Sequence, residues 1–447
     1  MADTQKVGTF IYNLSSIWHK YGLDETRYTG CTLYIMCLKK MIEENTCRDP
    51  QYMGKIIELT KILYRPTSVD DIEILKSSVE IVEKVYDLQA GLLSEVFNPV
   101  RSQEEGWKKA FLEVVMMVSA IDVEEDGYIP YVESIAYLVG KNSRMGSDKV
   151  SSNAVADLLE IAADIKDGDK VLDGTIGYGY SVLKCLKSKK NICLLGVDIN
   201  SDSIATAALS TILSDIKDYK FMQEDFTAMN SPVGIDKVVM DIPFGMKMGE
   251  LMGYQSHRAS KWMDTDICKE TEALFIATAI DSLNDNGRIA VIVPKNFLFK
   301  QTKALSTFRK NLVKEGMVKA IVSLPPVYNS TMIKTALLVL QSGNRDVIFV
   351  DANDLIQRER RNDAVITNEN KILLKSILDE KMEVENVSFL VDNEKLIEVG
   401  DWSINMYKQV DDIFEHRSIK EINDDLKKQY KRLAELNNQS LGIRLFN

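Results

Sequence analysis

The chain is 447 residues long, which at about 150 residues per domain suggests two or three domains. With 45% apolar and 27% charged residues it has the make-up of a globular protein with a sizeable core, and its net charge of −11 argues against unaided gripping of duplex nucleic acid. No apolar run reaches the roughly 18 residues of a membrane span. The polar start MADTQKVG lacks the apolar core of a secretory signal, so a cytoplasmic protein is expected. The six cysteines form no CxxC pair and the three histidines (His19, His257, His416) are scattered, so reduced thiols and no metal centre are expected.

Residues 5 to about 140 read as helices. FIYNLSSIWHKYGL, YTGCTLYIMCLKKMIEEN, IEILKSSVEIVEKVYDLQAGLLSEVF and WKKAFLEVVMMV repeat apolar groups at three- and four-residue spacing. Nothing there carries recognisable chemistry, which leaves docking or clamping as the functional reading. KNSRMGSDKVSS, residues 141–152, is polar and suits a linker or a substrate loop.

Beyond it the period changes. A helix over 153–165 precedes a short strand ending at Asp173, and GTIGYGY leads into a second helix. NICLLGVDIN reads as a strand ending at Asp198, 25 residues after Asp173. A further strand enters QEDF, and DKVVMDIPFG follows. Then come helix ETEALFIATAIDSLN, strand GRIAVIVP, another helix, and strands MVKAIVSLP and TALLVLQS. Strands alternating with helices predict a doubly wound parallel sheet, with the last two strands an antiparallel edge.

This order puts four chemically loaded turns at carboxyl ends of strands, where open parallel sheets bind ligands. Asp241-Ile242-Pro243-Phe244 ends one strand. The Asp241 side chain and the Ile242 carbonyl can accept from an amine, Pro243 stiffens the turn, and Phe244 offers a face to a planar base. The competing reading is a plain strand-to-loop turn. Gly177 and Gly179 permit close approach of backbone to a ligand, or simply a packing turn. Asp198 can take both hydroxyls of a ribose, or cap the helix beginning near Asn200. Asp225 and Phe226 can receive the amine and face of an adenine, or form a loop acid beside a core aromatic. Together these describe a nucleoside cofactor across the sheet edge. A dinucleotide fingerprint needs a third glycine where Val182 stands, which leaves S-adenosylmethionine the better fit.

With these blocks in place, most of the chain resembles the modification (methyltransferase) subunits of type I restriction-modification systems, within the N-6 adenine-specific DNA methylases. DKVLDGTIGYG stands at the cofactor motif, GVDIN and QEDF at the next two cofactor turns, and DIPFG at the Asn-Pro-Pro-Phe position. EALFIATAIDSLNDNGRIAVIVPKNFLF, IVSLPPVYNSTMIKTALLVLQSGNRDVIFVDA and DWSIN follow the family's later blocks. The chain departs from the pattern at Asp241 (usually Asn), Ile242 and Gly174 (usually Pro), and Tyr178 and Tyr180 (usually small).

The resemblance implies an α/β, Rossmann-like class I S-adenosylmethionine-dependent methyltransferase sheet, preceded by an all-helical N-terminal domain and followed by a C-terminal helix. The corresponding spans are 1–145, 146–410 and 411–447. It implies methyl transfer to the N6 amine of a flipped adenine, with catalytic Asp241, Ile242, Pro243 and Phe244. Cofactor-binding positions would be Asp173, Gly177, Gly179, Asp198, Asp225 and Phe226. Tyr178 and Tyr180 would lie beside the methionine end of the cofactor. The amphipathic stripe Ile419, Ile422, Leu426, Tyr430, Leu433 and Leu436 suits a partner helix or the chain's own domain. The resemblance turns it toward a specificity subunit that reads DNA, with a second copy of this chain and a restriction subunit as further partners. A catalytically inactive scaffold, or an amino-methyltransferase acting on RNA or a metabolite, are the alternative functions.

Overall fold

The structure is a computed structural model that describes residues 2–23, 25–66, 68, 70–97, 105–123, 127–142, 150–246, 259–264, 269–328, 331–358 and 364–408, with short helical pieces within 423–432. Met1–Met406 form one compact unit and Tyr407–Asn447 a second. The domain boundary expected at 145/146 falls outside the described residues, as do His257, most of the loop 247–269 and every stripe position except the exposed Leu426.

The first part of the larger unit is helical: α1 (Ala2–Tyr21), α2 (Glu25–Glu43), α3 (Met53–Tyr64), α4 (Asp71–Lys76), α5 (Val79–Val85), α6 (Glu105–Ser119) and α7 (Ile129–Asn142). Apolar residues dominate α2 from Cys31 to Met41 and nearly all are buried, because the helix is enclosed by its neighbours. Met117, on α6, packs on this helical core, whereas Met116 is 50% exposed.

The sheet region follows. α8 (Asn153–Ala163) starts on Ser152, whose hydroxyl accepts from the Val155 amide at 3.3 Å, a side-chain cap worth about 1 kcal/mol. β1 (Lys170–Asp173), α9 (Tyr180–Leu186), β2 (Cys193–Asp198), α10 (Ser201–Leu213), β3 (Asp218–Gln223) and β4 (Ile235–Asp241) come next. Then α11 (Thr271–Ser282), β5 (Leu283–Pro294), α12 (Asn296–Phe299), α13 (Lys303–Lys314), β6 (Val318–Ser323), β7 (Thr335–Gln341) and β8 (Asp346–Asp351) complete the centre. A small β9 (Ile356–Arg358) and β10 (Ala364–Ile366) hairpin, α14 (Asn368–Glu380), β11 (Ser388–Asp392) and α15 (Asn393–Val399) close the unit.

Nine strands form one sheet in the order β11-β8-β6-β7-β5-β4-β1-β2-β3. β3, β2, β1, β4 and β5 run parallel. β7 is antiparallel to both β5 and β6 and lies between them. The expected antiparallel edge is therefore corrected: β6 and β7 sit inside the sheet, and β11 forms the edge beyond β8. The reason is visible in the sequence of β7, TALLVLQ, of which all but the last residue is buried. A strand apolar on both faces belongs in a sheet's interior.

α10 shows the same logic in a helix. Ile204, Ala207 and Ala208 join the core beneath the sheet, while Ala205, Leu209, Ile212 and Leu213 join the core of the helical part. Gly30 of α2 approaches Thr206 closely, and Lys40 reaches Asp215 at 3.0 Å. One helix, buried all round, thus packs into both the helical part and the sheet region.

Candidate functional site

The parallel arrangement brings the carboxyl ends of β1, β2 and β4 side by side. Asp173 pairs in register with Gly196 of β2, Leu172 with Val238 of β4, and Asp241 with Ile292 of β5. Val238, Val239 and Met240 are fully buried, so hydrophobic burial anchors β4 and holds Asp241 at its exit. Ile242 is buried, Pro243 exposed and Phe244 partly buried.

Asp241 is held from two sides. The Tyr328 hydroxyl donates to its Oδ1, and Ser151, just before the cap of α8, supplies a second hydroxyl. The Phe244 and Tyr328 rings meet edge to face, 5.4 Å between centroids at 90°. Burial lifts the Asp241 carboxyl to about 6, against the pull of those two hydroxyls. Thr175 Oγ1 donates to the Asp241 carbonyl at 3.5 Å, linking the β4 turn to the β1 turn.

Asp173 is 1% exposed. Its Oδ1 accepts from the Thr175 amide at 3.0 Å. Burial pushes this carboxyl up to about 8; the Thr175 amide opposes, and the charges of Asp198 and Asp241 add to the rise. Gly177 and Gly179 both have positive φ, +53° and +82°, where a side chain would be strained. The Gly177 amide donates to Asp198 Oδ2 at 2.9 Å, so the glycine turn and the end of β2 form one structure. Asp198 Oδ1 accepts from the Asn200 amide at 2.8 Å. The cap of α10 is Asn200, which accepts from Ser203, and not Asp198.

After β3, Asp225 Oδ1 accepts from the Thr227 amide and hydroxyl at 2.9 and 2.7 Å, while its Oδ2 is buried and without a hydrogen-bond partner among the described residues. Phe226 is placed in the core. It stacks on Phe275 (6.3 Å, 21°), and its ring lies so close to Gly174 that a Cβ there would come within 2.7 Å. This accounts for glycine at 174: the ring fills the space a larger residue needs.

Tyr178 is buried with Ala136, Val139 and Val150 and reaches Asp202 at 3.1 Å, while Tyr180 bonds to Asn153. Sequence reasoning missed Tyr328 and Ser151 as members of the site. The signal for Tyr328 was its place in SLPPVY, a turn at the carboxyl end of β6; the fold brings it to Asp241, 87 residues away.

Comparison with known proteins adds to this geometry. Across 339 residues the chain is 24% identical to the type I restriction enzyme MpnII methylase subunit of Mycoplasma pneumoniae, covering 69% of this chain and 61% of that protein. The chain therefore spans about three fifths of that curated relative's length. Its fold is similar to that of the type I restriction-modification methyltransferase subunit from Streptococcus thermophilus, with TM-score 0.73 at 16% identity, covering 90% of this chain and 99% of the other. It is also similar to a chain solved in work on complex assembly and conformational transition of the type I R-M system, with TM-score 0.65, 15% identity and 99% of both chains covered. Residues 149–416, well over half of the chain, match the N-6 DNA methylase family. With a methyltransferase-type sheet, its carboxylate-lined edge and that match together, the chain belongs to the N-6 DNA methylase family.

Proposed function

We propose that this protein transfers a methyl group from S-adenosylmethionine to the N6 amine of adenine in DNA. It would do so as the modification subunit of a type I restriction-modification complex. The observation that carries the reading is the Asp241-Ile242-Pro243-Phe244 turn, held at the carboxyl end of β4 beside the Asp173 and Asp198 turns.

The residues present fit the cofactor. Asp198, joined by Asp173 once that carboxyl is ionised, suits a cationic ligand, and the unpartnered Asp225 Oδ2 suits an exocyclic amine. Asp173, Gly177, Gly179, Asp198 and Asp225 would hold the cofactor, with Phe226 supporting the Gly174 turn from beneath. When bound, the cofactor supplies an electrophilic methyl group on sulfur. Asp241 and the Ile242 carbonyl would accept the N–H groups of a flipped adenine stacked on Phe244, aiming the nitrogen lone pair at that methyl. Positioning of this kind supplies several kcal/mol of barrier lowering without a covalent intermediate.

The acidic net charge agrees with DNA contacts and sequence choice residing largely in a separate specificity subunit. The spans 1–145, 146–410 and 411–447 would serve as helical domain, methyltransferase and partner-docking segment. No helix among the described residues is long and apolar enough to cross a membrane. The test is methyl transfer to DNA by the chain assembled with a specificity subunit, alongside calorimetric binding of S-adenosylmethionine to the chain alone. Transfer lost in Asp241→Ala, with cofactor binding kept, supports the reading. Binding that is absent in the assembled wild type sinks it.

A further inference from the structure

Tyr328 is fixed more firmly than a loop residue needs to be. The chain before it is clamped on both sides: Ser152 Oγ donates to the Val327 carbonyl at 2.6 Å, and Arg358 donates to the Pro326 carbonyl at 3.2 Å. The Leu324 amide closes the base of the loop on the Thr335 carbonyl at 3.1 Å. Val327 is fully buried and Tyr328 is 7% exposed. The ring touches Phe244 and the hydroxyl touches Asp241, so one side chain contacts two members of the DIPF turn.

The chemistry of the contact has one direction. A phenol carries a single proton, and burial beside the Asp241 carboxylate holds the Tyr328 phenol well above its ordinary range, so it stays a donor. A carboxylate has about four lone-pair sites, so a hydroxyl on Oδ1 leaves room for an amine N–H even with Ser151 present. Hydrogen bonds to the charged form favour that form. Among the described residues, the groups facing Asp241 are Tyr328, Ser151 and, through space, Asp173 on β1. Tyr328 and Ser151 favour ionisation, whereas Asp173 opposes it whenever it is charged.

We propose that Tyr328 is a positioning residue for transfer: its hydroxyl keeps Asp241 ionised and in one orientation with an acceptor free for the substrate amine, and its ring, perpendicular to Phe244, sets the plane of that aromatic. This rests on the reading that Asp241 receives the amine.

Tyr328→Phe keeps the ring and removes the donor. Two measurements on the full chain test it: carbon-13 titration of the Asp241 carboxyl, and the pH profile of methyl transfer by the assembled complex. The Asp241 midpoint should rise by about one pH unit, and the acidic limb of kcat/KM should move up with it, with the KM for S-adenosylmethionine unchanged. Coincident titrations in Tyr328→Phe and wild type overturn the proposal, as does a shifted titration with an unmoved acidic limb. Should Tyr328→Phe fail to fold, Tyr328→3-fluorotyrosine, a stronger donor, must shift both readouts downward; an unmoved titration overturns the proposal equally. Asp241→Ala separates the two ideas. Undiminished transfer in that variant removes the Asp241 reading itself, whereas lost transfer with unmoved Tyr328→Phe readouts removes Tyr328 alone.

Discussion

Arg288 at the foot of β5 and Asp173 at the head of β1 are equally inaccessible, 3% and 1% exposed, but they live in opposite electrostatic surroundings. Arg288 donates to Asp379 of α14 at 3.1 Å and lies 3.7 Å from Asp164 at the end of α8. Lys375 bridges the same two acids at 3.0 and 2.8 Å. Burial works against Asp164, but bonds from Lys166 and Lys375 overcome it and pull that carboxyl down to about 2. At the opposite edge, no cation among the described residues pairs with Asp173 or Asp241, and burial drives both carboxyls up. The amino edge spends its charges stapling two helices to the sheet. The carboxyl edge leaves acids uncompensated, which is costly for stability and intelligible where a cationic ligand is to bind.

The largest expected effect breaks the carboxyl edge directly. Asp241→Ala should lower methyl transfer by about 10²–10³-fold, as loss of a positioned polar group does, with affinity for S-adenosylmethionine within about twofold of wild type. Filter-bound transfer of labelled methyl groups measures it. At the amino edge, Arg288→Met should cost roughly 3 kcal/mol in a urea melt, because two half-buried acids lose a shared cation, and should leave cofactor affinity unchanged.

Asp173→Asn tests the contrast by sign. A carboxyl raised from its ordinary value of about 3.9 to about 8 binds more protons folded than unfolded across that interval. Its contribution to stability therefore falls as pH rises from 4 to 8. Removing it should stabilise the cofactor-free chain at pH 8 and change it little at pH 4, as thermal melts at both pH values would show. In the wild type a cationic cofactor favours ionised Asp173, so binding should release a proton and tighten from pH 6 to 8; Asp173→Asn should lose that slope. The smallest effect concerns the floor beneath this edge. Gly174→Ala sets a Cβ within 2.7 Å of the Phe226 ring and should cost about 1–2 kcal/mol. Gly174→Ala with Phe226→Leu should recover part of that loss in the same melt.

The order of helices and strands was readable because each carries its own period: three to four in α1 through α7, continuous apolar runs in the buried strands. The turns at Asp173, Gly177 to Gly179, Asp198, Asp225 and Asp241 were also readable, since strand ends in a parallel sheet are where polar residues interrupt apolar runs. The place of β7 was not, because an apolar strand states that it is buried without stating between which neighbours. Phe226 looked available for a ligand, yet its burial depends on Phe275, 49 residues further on, and on the missing side chain of Gly174. A motif gives position along the chain, and side-chain direction is settled by what packs around it.

The sequence by itself determined the class of sheet, the helical part before it and the acids at its carboxyl edge, because short-range periodicity and turn chemistry are local properties. Only the tertiary structure decided that Tyr328 reaches Asp241, that α10 serves two cores, and that one edge is neutralised while the other is not. Those facts depend on contacts between residues tens to more than a hundred positions apart, and no local pattern encodes which distant side chain will complete a buried charge.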